Sequence, residues 1–283
     1  MLHVVTAKTV SGLDMGKLPS LNLFVTGGWD STFMLCRMSR EDILITPIYV
    51  LNPKRKSYDF ELGAIKEIIR KLRKHPQTKA TITNLKIINL SDVRVDPLIV
   101  SARRRLAKQV GLLGYQYDYL GSIAKEMGTV GLGIEKPPVE RDIGASATLR
   151  RFAHLKRSEF GFAIDESRSN PDVNLVFGHI CFPILDVTER EMLDWARDYN
   201  YSDIMHLIWF CHSPIDGAPC GLCRPCEEKM GSNMGFLLPE TAKKRYFKAQ
   251  KWNFVGKKIS RFIKNHQIRH LVRINDKNKG QQG

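Results

Sequence analysis

Two stretches of this 283-residue chain carry residue types whose spacing suits chemistry. The first is Leu23-Phe24-Val25-Thr26-Gly27-Gly28-Trp29-Asp30-Ser31-Thr32. An apolar run, Leu21 to Val25, reads as a short buried strand, and Ser31 to Arg40 carries Phe33, Met34, Leu35 and Met38, which suit a partly buried helix. Paired glycines between them let the backbone turn sharply and approach a ligand, and the helix that follows offers N–H groups and a positive dipole end. That combination is a phosphate cradle. The hydroxyls of Thr26, Ser31 and Thr32 can donate to phosphate oxygens, and Asp30 can hold a Mg2+ ion that screens the charge. The G-x-x-x-x-G-K-[ST] spacing of the common NTPases is absent, so another nucleotide chemistry is implied. The competing reading is a strand-to-helix turn with a capping Asp or Ser and no ligand.

The second stretch is Cys211, Cys220, Cys223 and Cys226, spaced C-x8-C-x2-C-x2-C. Two-residue gaps bring neighbouring sulfurs within reach of one ion, and Gly221 and Pro225 suit the tight turn required. Four thiolates close a tetrahedral shell with no position left for water, so a Zn2+ held here is structural. An iron–sulfur cluster is the nearest competitor, ahead of four unligated thiols. The remaining cysteines, Cys36 and Cys181, fall in an expected helix and strand and read as small buried hydrophobes, with a catalytic thiol as the minority reading. His179 reads as a packing residue at a strand end.

The elements that must position these residues alternate along the chain. Ile43 to Val50 is β-branched and apolar, although Pro47 within it argues for a strand start or an edge at that point. Phe60, Ala64, Ile65, Ile68, Ile69 and Leu72 recur at helical spacing. Thr81 to Leu90 reads as a strand, Leu98 to Val110 and Tyr115 to Met127 as helices, and Val130 to Ile134 as a short strand. Lys136 to Arg150 reads as a loop, Phe152 to Asn170 as helix or loop, and Val173 to Phe177 and His179 to Leu185 as strands. Thr188 and Glu191 form a capping box ahead of Met192, Leu193, Trp195 and Ala196. Strands and helices in alternation argue for βαβ units on a parallel sheet.

A chain of this length with 43% hydrophobic residues can bury a substantial core. It contains no apolar run of about eighteen residues that would span a bilayer. Met1 to Ser20 lacks the basic-then-apolar pattern of a secretory signal, and the clustered cysteines are metal-like, so a cytoplasmic protein is expected with no membrane partner. The formal charge is +15, and most of the excess lies between Thr241 and Gly283, where thirteen Lys and Arg face the single acid Asp276. Interleaved Tyr246, Phe247, Trp252, Phe254, Ile259, Phe262, Ile268 and Leu271 imply that part of this tail is helical. The tail reads either as a solvated basic face or as a contact for nucleic acid or another polyanion.

Thr26-Gly27-Gly28-Trp29-Asp30-Ser31 resembles the S-G-G-x-D-S signature of the PP-loop ATP pyrophosphatases, with Thr for the first Ser. Together with the four-cysteine knuckle it resembles the 7-cyano-7-deazaguanine synthase family of queuosine biosynthesis. Tyr58 to Glu67 is similar to that family's helix after the second strand, Tyr115 to Ile134 to a later helix and short strand, and Pro183-Ile184-Leu185-Asp186-Val187-Thr188 to its Pro-Leu-x-x-x-Thr segment. The resemblance runs in order from about Leu21 to Gly235. It implies a Rossmann-like adenine nucleotide α-hydrolase fold, a parallel sheet with helices on both faces, with a C-terminal zinc knuckle; the basic, helical tail read from composition follows it. The corresponding segments are 1–205, 206–235 and 236–283. It also implies that residues 23–32 bind ATP, that Asp30 and Ser31 act in catalysis, and that the four cysteines hold Zn2+.

The implied reaction uses ATP and Mg2+ to adenylate the carboxylate of 7-carboxy-7-deazaguanine with release of pyrophosphate. Ammonia then gives the amide, and a second activation gives the nitrile. A homodimer is among the expectations. The chain departs from the family at the acceptor end: Glu135-Lys136-Pro137-Pro138 replaces a Tyr-Pro-Asp-Cys-Arg segment, Glu189 replaces a lysine, and Ala145 to Pro171 and the tail are longer. A paralogue that activates a macromolecule-linked acid is therefore the runner-up. A non-catalytic nucleic-acid-binding protein with a relic loop is the third reading.

Overall fold

The computed structural model describes residues 18–137, 143–232 and 234–251. They form two compact units that divide between Trp209 and Phe210. The first is an α/β unit around an eight-stranded, mostly parallel sheet. Its apolar runs Leu21 to Phe24 and Ile45 to Tyr49 become β1 (Ser20–Phe24) and β2 (Leu44–Leu51), paired in parallel from Ser20 opposite Leu44 to Phe24 opposite Ile48. The outer side of β2 carries β3 (Thr81–Ile82) and β4 (Lys86–Asn89), and the other side of β1 carries β5 (Val130–Gly131) and then β8 (Ile180–Phe182). A hairpin of β6 (Leu155–Ser158) and β7 (Gly161–Ile164) adds antiparallel to β8.

With β3 and β4 occupying one edge position, the parallel part proceeds outward from β1 through β2, then returns to the other side of β1 for β5 and β8. The direction of winding therefore reverses between β1 and β5. Helices α1 (Trp29–Met38), α2 (Tyr58–Leu72), α7 (Glu189–Asp198) and α8 (Ser202–Met205) contact one another, while α3 (Pro97–Val110), α4 (Gln116–Met127), α5 (Gly144–Phe152) and α6 (Pro171–Phe177) form a second group. Right-handed crossovers running in opposite directions leave the two groups on opposite faces of the sheet. Phe24, Ile48, Val130, Phe177 and Phe182 belong to the core under the second group.

Several sequence expectations change here. Pro47 lies inside a central strand. The amide of Val25 donates to the Ile48 carbonyl on one side of β2, and that of Thr83 donates to the Ile45 carbonyl on the other. By alternation, the N–H that Pro47 lacks would face the outer side, where the partner strand is broken between β3 and β4. The expected strand Thr81 to Leu90 is thus two pieces with a gap beside the proline. Val173 to Phe177 is helical: Asn170 accepts the Asp172 amide at 2.8 Å, Pro171 opens the helix, and Val173, Val176 and Phe177 are buried on one face. Phe152 to Asn170 contains the β6–β7 hairpin, the expected strand Val130 to Ile134 pairs over two residues only, and the expected loop Lys136 to Arg150 contains the start of α5. His179 is exposed rather than packed.

The second unit contains α9 (Arg224–Gly231) and a helix over 240–251. The rest of the expected basic tail, from Trp252 onward, lies outside the described residues. Among the described residues no helix is long and apolar enough to cross a membrane.

The capping box expected at α7 is present: Thr188 Oγ1 accepts the Glu191 amide at 3.3 Å, and Glu191 Oε2 accepts the Thr188 amide at 2.8 Å. The Thr188 amide and hydroxyl hold the Glu191 carboxyl below its ordinary range. The cap is therefore complete above that range and weakens as pH falls through it. Thr188→Ala should cost about 1 kcal/mol in urea unfolding at neutral pH.

Candidate functional site

β1 delivers the glycine loop to the carboxyl edge of the sheet, beside the point where the winding reverses, which is where open α/β sheets form ligand crevices. Gly27 adopts φ +71°, and a Cβ there would stand 3.2 Å from both the Glu61 carbonyl oxygen and Ile65 Cγ1. Its own carbonyl accepts the Trp209 amide at 2.8 Å. Gly28 is the N-cap of α1, with extended backbone and no side chain to close the helix end. The first turn of a ten-residue helix thus begins directly at the loop.

The hydroxyls expected to meet phosphate do two different things. Ser31 is buried; its Oγ accepts the Thr26 amide at 3.1 Å, lies 3.1 Å from Thr26 Oγ1 and donates to the Gly28 carbonyl at 3.3 Å. Thr26 is exposed and its Oγ1 also accepts the Gly28 amide at 3.3 Å. This pair shapes the turn from within. Thr32 Oγ1 is buried and has no hydrogen-bond partner among the described residues. Leu23, Phe24, Val25 and Trp29 are buried and reach the site through their backbone positions, while Asp30 is half-buried in the first turn of α1.

A second loop closes on the first. A Cβ on Gly133, just beyond β5, would stand 3.2 Å from the Asp30 carbonyl carbon and the Ser31 nitrogen, so the two chain segments meet backbone to backbone. Tyr117 of α4 faces the same region: burial first, and the Asp30 carboxylate after it, raise its phenol pKa.

The sequence reading did not find a buried carboxylate network under the loop. Glu61, 3% exposed, accepts hydrogen bonds from Tyr49 Oη at 2.7 Å, Ser57 Oγ at 2.7 Å and Arg55 Nη2 at 2.6 Å. Its backbone carbonyl is the atom against which Gly27 packs. Tyr119 lies nearby, its phenol pushed up to about 12 by burial and by neighbouring Tyr115 and Glu61 against the opposing pull of Arg55. Among the described residues the Arg55 guanidinium makes no other hydrogen bond, so an oriented cation stands in the loop after β2. Phe60 stacks on Trp209 at 4.3 Å and 16°, flanking the same glycine loop. One sequence signal was available: Glu61 shares the face of α2 that carries the buried Ile65 and Ile68, an unusual place for a charge.

In the second unit the sulfurs of Cys211, Cys220, Cys223 and Cys226 lie within 4.8 Å of one another. Cys220 and Cys226 are 3.9 Å apart, Cys223 and Cys226 3.5 Å, and Cys223 and Cys211 3.9 Å. A tetrahedral shell with Zn–S bonds of about 2.3 Å requires sulfurs about 3.8 Å apart, so this donor set fits one Zn2+. Backbone amides of Cys220, Leu222 and Cys223 point at these sulfurs, as outer-shell donors to thiolates do. Gly221 has φ +76°, and any Cβ there would collide with the Ala242 carbonyl. Arg245 donates to the carbonyls of Cys220 at 2.8 Å and Pro219 at 3.1 Å, tying the 240–251 helix to the knuckle. Cys36 and Cys181 are buried apart from this cluster; burial raises both thiols, Cys181 to about 12, which disfavours a reactive thiolate.

Two outcomes follow from this geometry. Gly27→Ala should cost about 1–3 kcal/mol and, if the loop holds ATP, also remove that binding, whereas Gly28→Ala, with φ already negative and one 3.3 Å contact to Thr26 Oγ1, should perturb folding far less. Urea unfolding and calorimetric titration with ATP separate the two. Cys223→Ser should lower bound zinc from about one equivalent and expose residues 211–245 to protease, read by elemental analysis and limited proteolysis.

No known protein-family model matches this chain, and no curated protein does. Among solved structures, a 4-thiouridine synthetase–RNA complex with bound ATP is similar to it with a TM-score of 0.35 and 15% identity, over 81% of this chain and 53% of that one. The chain spans about half the length of that structure.

Proposed function

We propose that this protein is an ATP-dependent enzyme of the PP-loop type that adenylates a carboxylate and releases pyrophosphate. The observation that carries the reading is the loop at the winding reversal: a left-handed glycine, an N-cap without a side chain, and a Thr26–Ser31 hydroxyl pair that shapes the turn from inside. A carboxylate is a poor electrophile until one oxygen becomes a good leaving group, and this site has the parts to make that exchange. The loop and the first turn of α1 bind the triphosphate. Asp30 would hold Mg2+, which would supply charge neutralisation for the departing pyrophosphate. The acceptor carboxylate oxygen attacks the α-phosphorus, the bond to the bridging oxygen breaks, and pyrophosphate leaves with the electron pair. Loop amides stabilise the charge that develops on it.

The acceptor that the sequence resemblance favours is 7-carboxy-7-deazaguanine. Ammonia attacks its acyl adenylate and AMP departs. The oxygen of the resulting amide then takes a second adenylyl group, and loss of AMP with the remaining N–H proton leaves the nitrile, 7-cyano-7-deazaguanine. The replacement of the family's acceptor segment by Glu135-Lys136-Pro137-Pro138 favours a second reading, in which the activated acid is attached to a macromolecule. In either case the four cysteines hold a structural Zn2+, and the functional segments are 1–205, 206–235 and 236–283.

The test is pyrophosphate release from purified protein with ATP, Mg2+ and ammonium, with and without 7-carboxy-7-deazaguanine, with products identified by mass. Deazapurine-dependent release with a nitrile product supports the first acceptor, and ATP binding without that product supports the second. Asp30→Ala should reduce release by at least about a hundredfold with unchanged unfolding behaviour; full turnover in that variant would remove the loop from the mechanism.

A further inference from the structure

Cations over much of the first unit are matched by acids. Arg103 pairs with Asp118, Arg105 with Asp172, Lys125 with Asp96, and Arg190 and Arg197 with Asp194. The stretch from Lys66 to Lys86 departs from this pattern among the described residues. Between Lys66 and Lys86 the chain holds seven Lys and Arg but a single acid, Glu67, and that acid is already bound to Arg70. Lys66, Lys71, Lys74, Lys79 and Lys86 have no acidic partner among the described residues.

The cations converge on a groove of about 350 Å3 lined by Lys66, Arg70, Arg73, Lys74 and Asn84 over Ile69 and Leu85. Pro47 accounts for the opening: without its N–H the edge strand leaves the ladder between β3 and β4, and Asn84 and Leu85 lie in that gap. Arg73 spans from α2 to the gap, donating to the Ile82 carbonyl at 3.1 Å and to Asn84 Oδ1 at 3.0 Å. Lys66 and Arg70 lie one helical turn apart on α2, about 5.4 Å, and Lys74 follows in the turn just past the C-cap Arg73. Guarding a free sheet edge against strand pairing explains Arg73, which caps an edge carbonyl. It does not explain Lys66, Arg70 and Lys74.

We propose that this groove docks the phosphodiester backbone of a nucleic acid. Lys66 and Lys74, without acidic partners among the described residues, flank Arg70 and Arg73 above an apolar floor of Ile69 and Leu85, and cations so spaced match a polymer that carries a charge at every unit and bind its backbone rather than its bases. An acidic peptide presents charge less regularly. A membrane contact calls for apolar side chains projecting from a convex face, and here Ile69 and Leu85 form the floor.

The experiment uses the full chain and fluorescence anisotropy with a labelled 20-nucleotide single-stranded RNA of mixed sequence, titrated across KCl concentrations. Lys66→Glu/Lys74→Glu keeps the Arg73 bonds and touches nothing in the glycine loop. Arg104→Glu/Lys108→Glu makes the same change of net charge on exposed α3 positions. The groove variant should bind more than about tenfold more weakly at 0.1 M KCl, with the slope of log K against log salt reduced by about 1.4, while the α3 variant stays close to wild type. The proposal is overturned if wild type fails to bind, if the groove variant matches wild type, or if both variants lose affinity equally. Loss confined to phosphatidylserine vesicles, with RNA binding intact, also overturns it. Because the readout needs no ATP, it is independent of the adenylation reading.

Discussion

The structure of the first unit depends on one close approach. Gly27 can sit where it does only because it has no side chain: the Glu61 carbonyl and Ile65 fill the space a Cβ would need, and the Trp209 amide holds its carbonyl from another direction. The contact fixes the end of β1 against the start of α2, and with it the direction in which α1 leaves the sheet. Everything proposed for the loop, from the uncapped helix end to the placement of Asp30, follows from that fixed departure. The Glu61 carboxylate adds a second anchor, since a charge so deeply buried is tolerated only with its three donors in place.

The loop also shows how polar side chains divide their work. Ser31 looks in sequence like a phosphate ligand, yet its hydroxyl is occupied inside the turn with Thr26 and Gly28. Shape is thereby supplied by side chains, and the backbone is left to present donors to a ligand. Donors fixed by helix and turn geometry need little reorganisation when charge develops near them, which is the condition for electrostatic stabilisation. Gly133 brings a second backbone segment to the same place, so the crevice is walled by main chain on the β5 side.

Much of this was legible in sequence where one element buries one face. β1, α1, α2, α3 and α4 follow from hydrophobic period, and α7 from its Thr188–Glu191 box. What escaped had contacts distant in sequence or weak local signals. The β6 strand, Leu-Lys-Arg-Ser, is exposed along its length and carries no alternation to read. Val173 to Phe177 is too short and too β-branched for period alone to decide, and the Asn170–Pro171 start settles it as helix. Pro47 was read as an edge signal; the edge it marks belongs to the neighbouring strand, a fact that exists only once pairing is known. The Glu61 network was hidden for the same reason: its donors come from a strand, a loop and a helix cap.

The knuckle has a consequence for the order in which the C-terminal part of the chain assembles. Gly221 packs directly against the Ala242 carbonyl, and Arg245 holds the carbonyls on either side of the Pro219–Cys220 bond, so the 240–251 helix rests on a surface that exists only when the turn is closed. A thiolate shell around one Zn2+ ion, which the four sulfurs fit, would close that turn. Ion capture would then precede helix docking, and a newly made chain short of zinc would leave the cationic 240–251 helix undocked while the sheet of the first unit could already fold. Metal supply would in this way govern the timing of maturation rather than any chemical step.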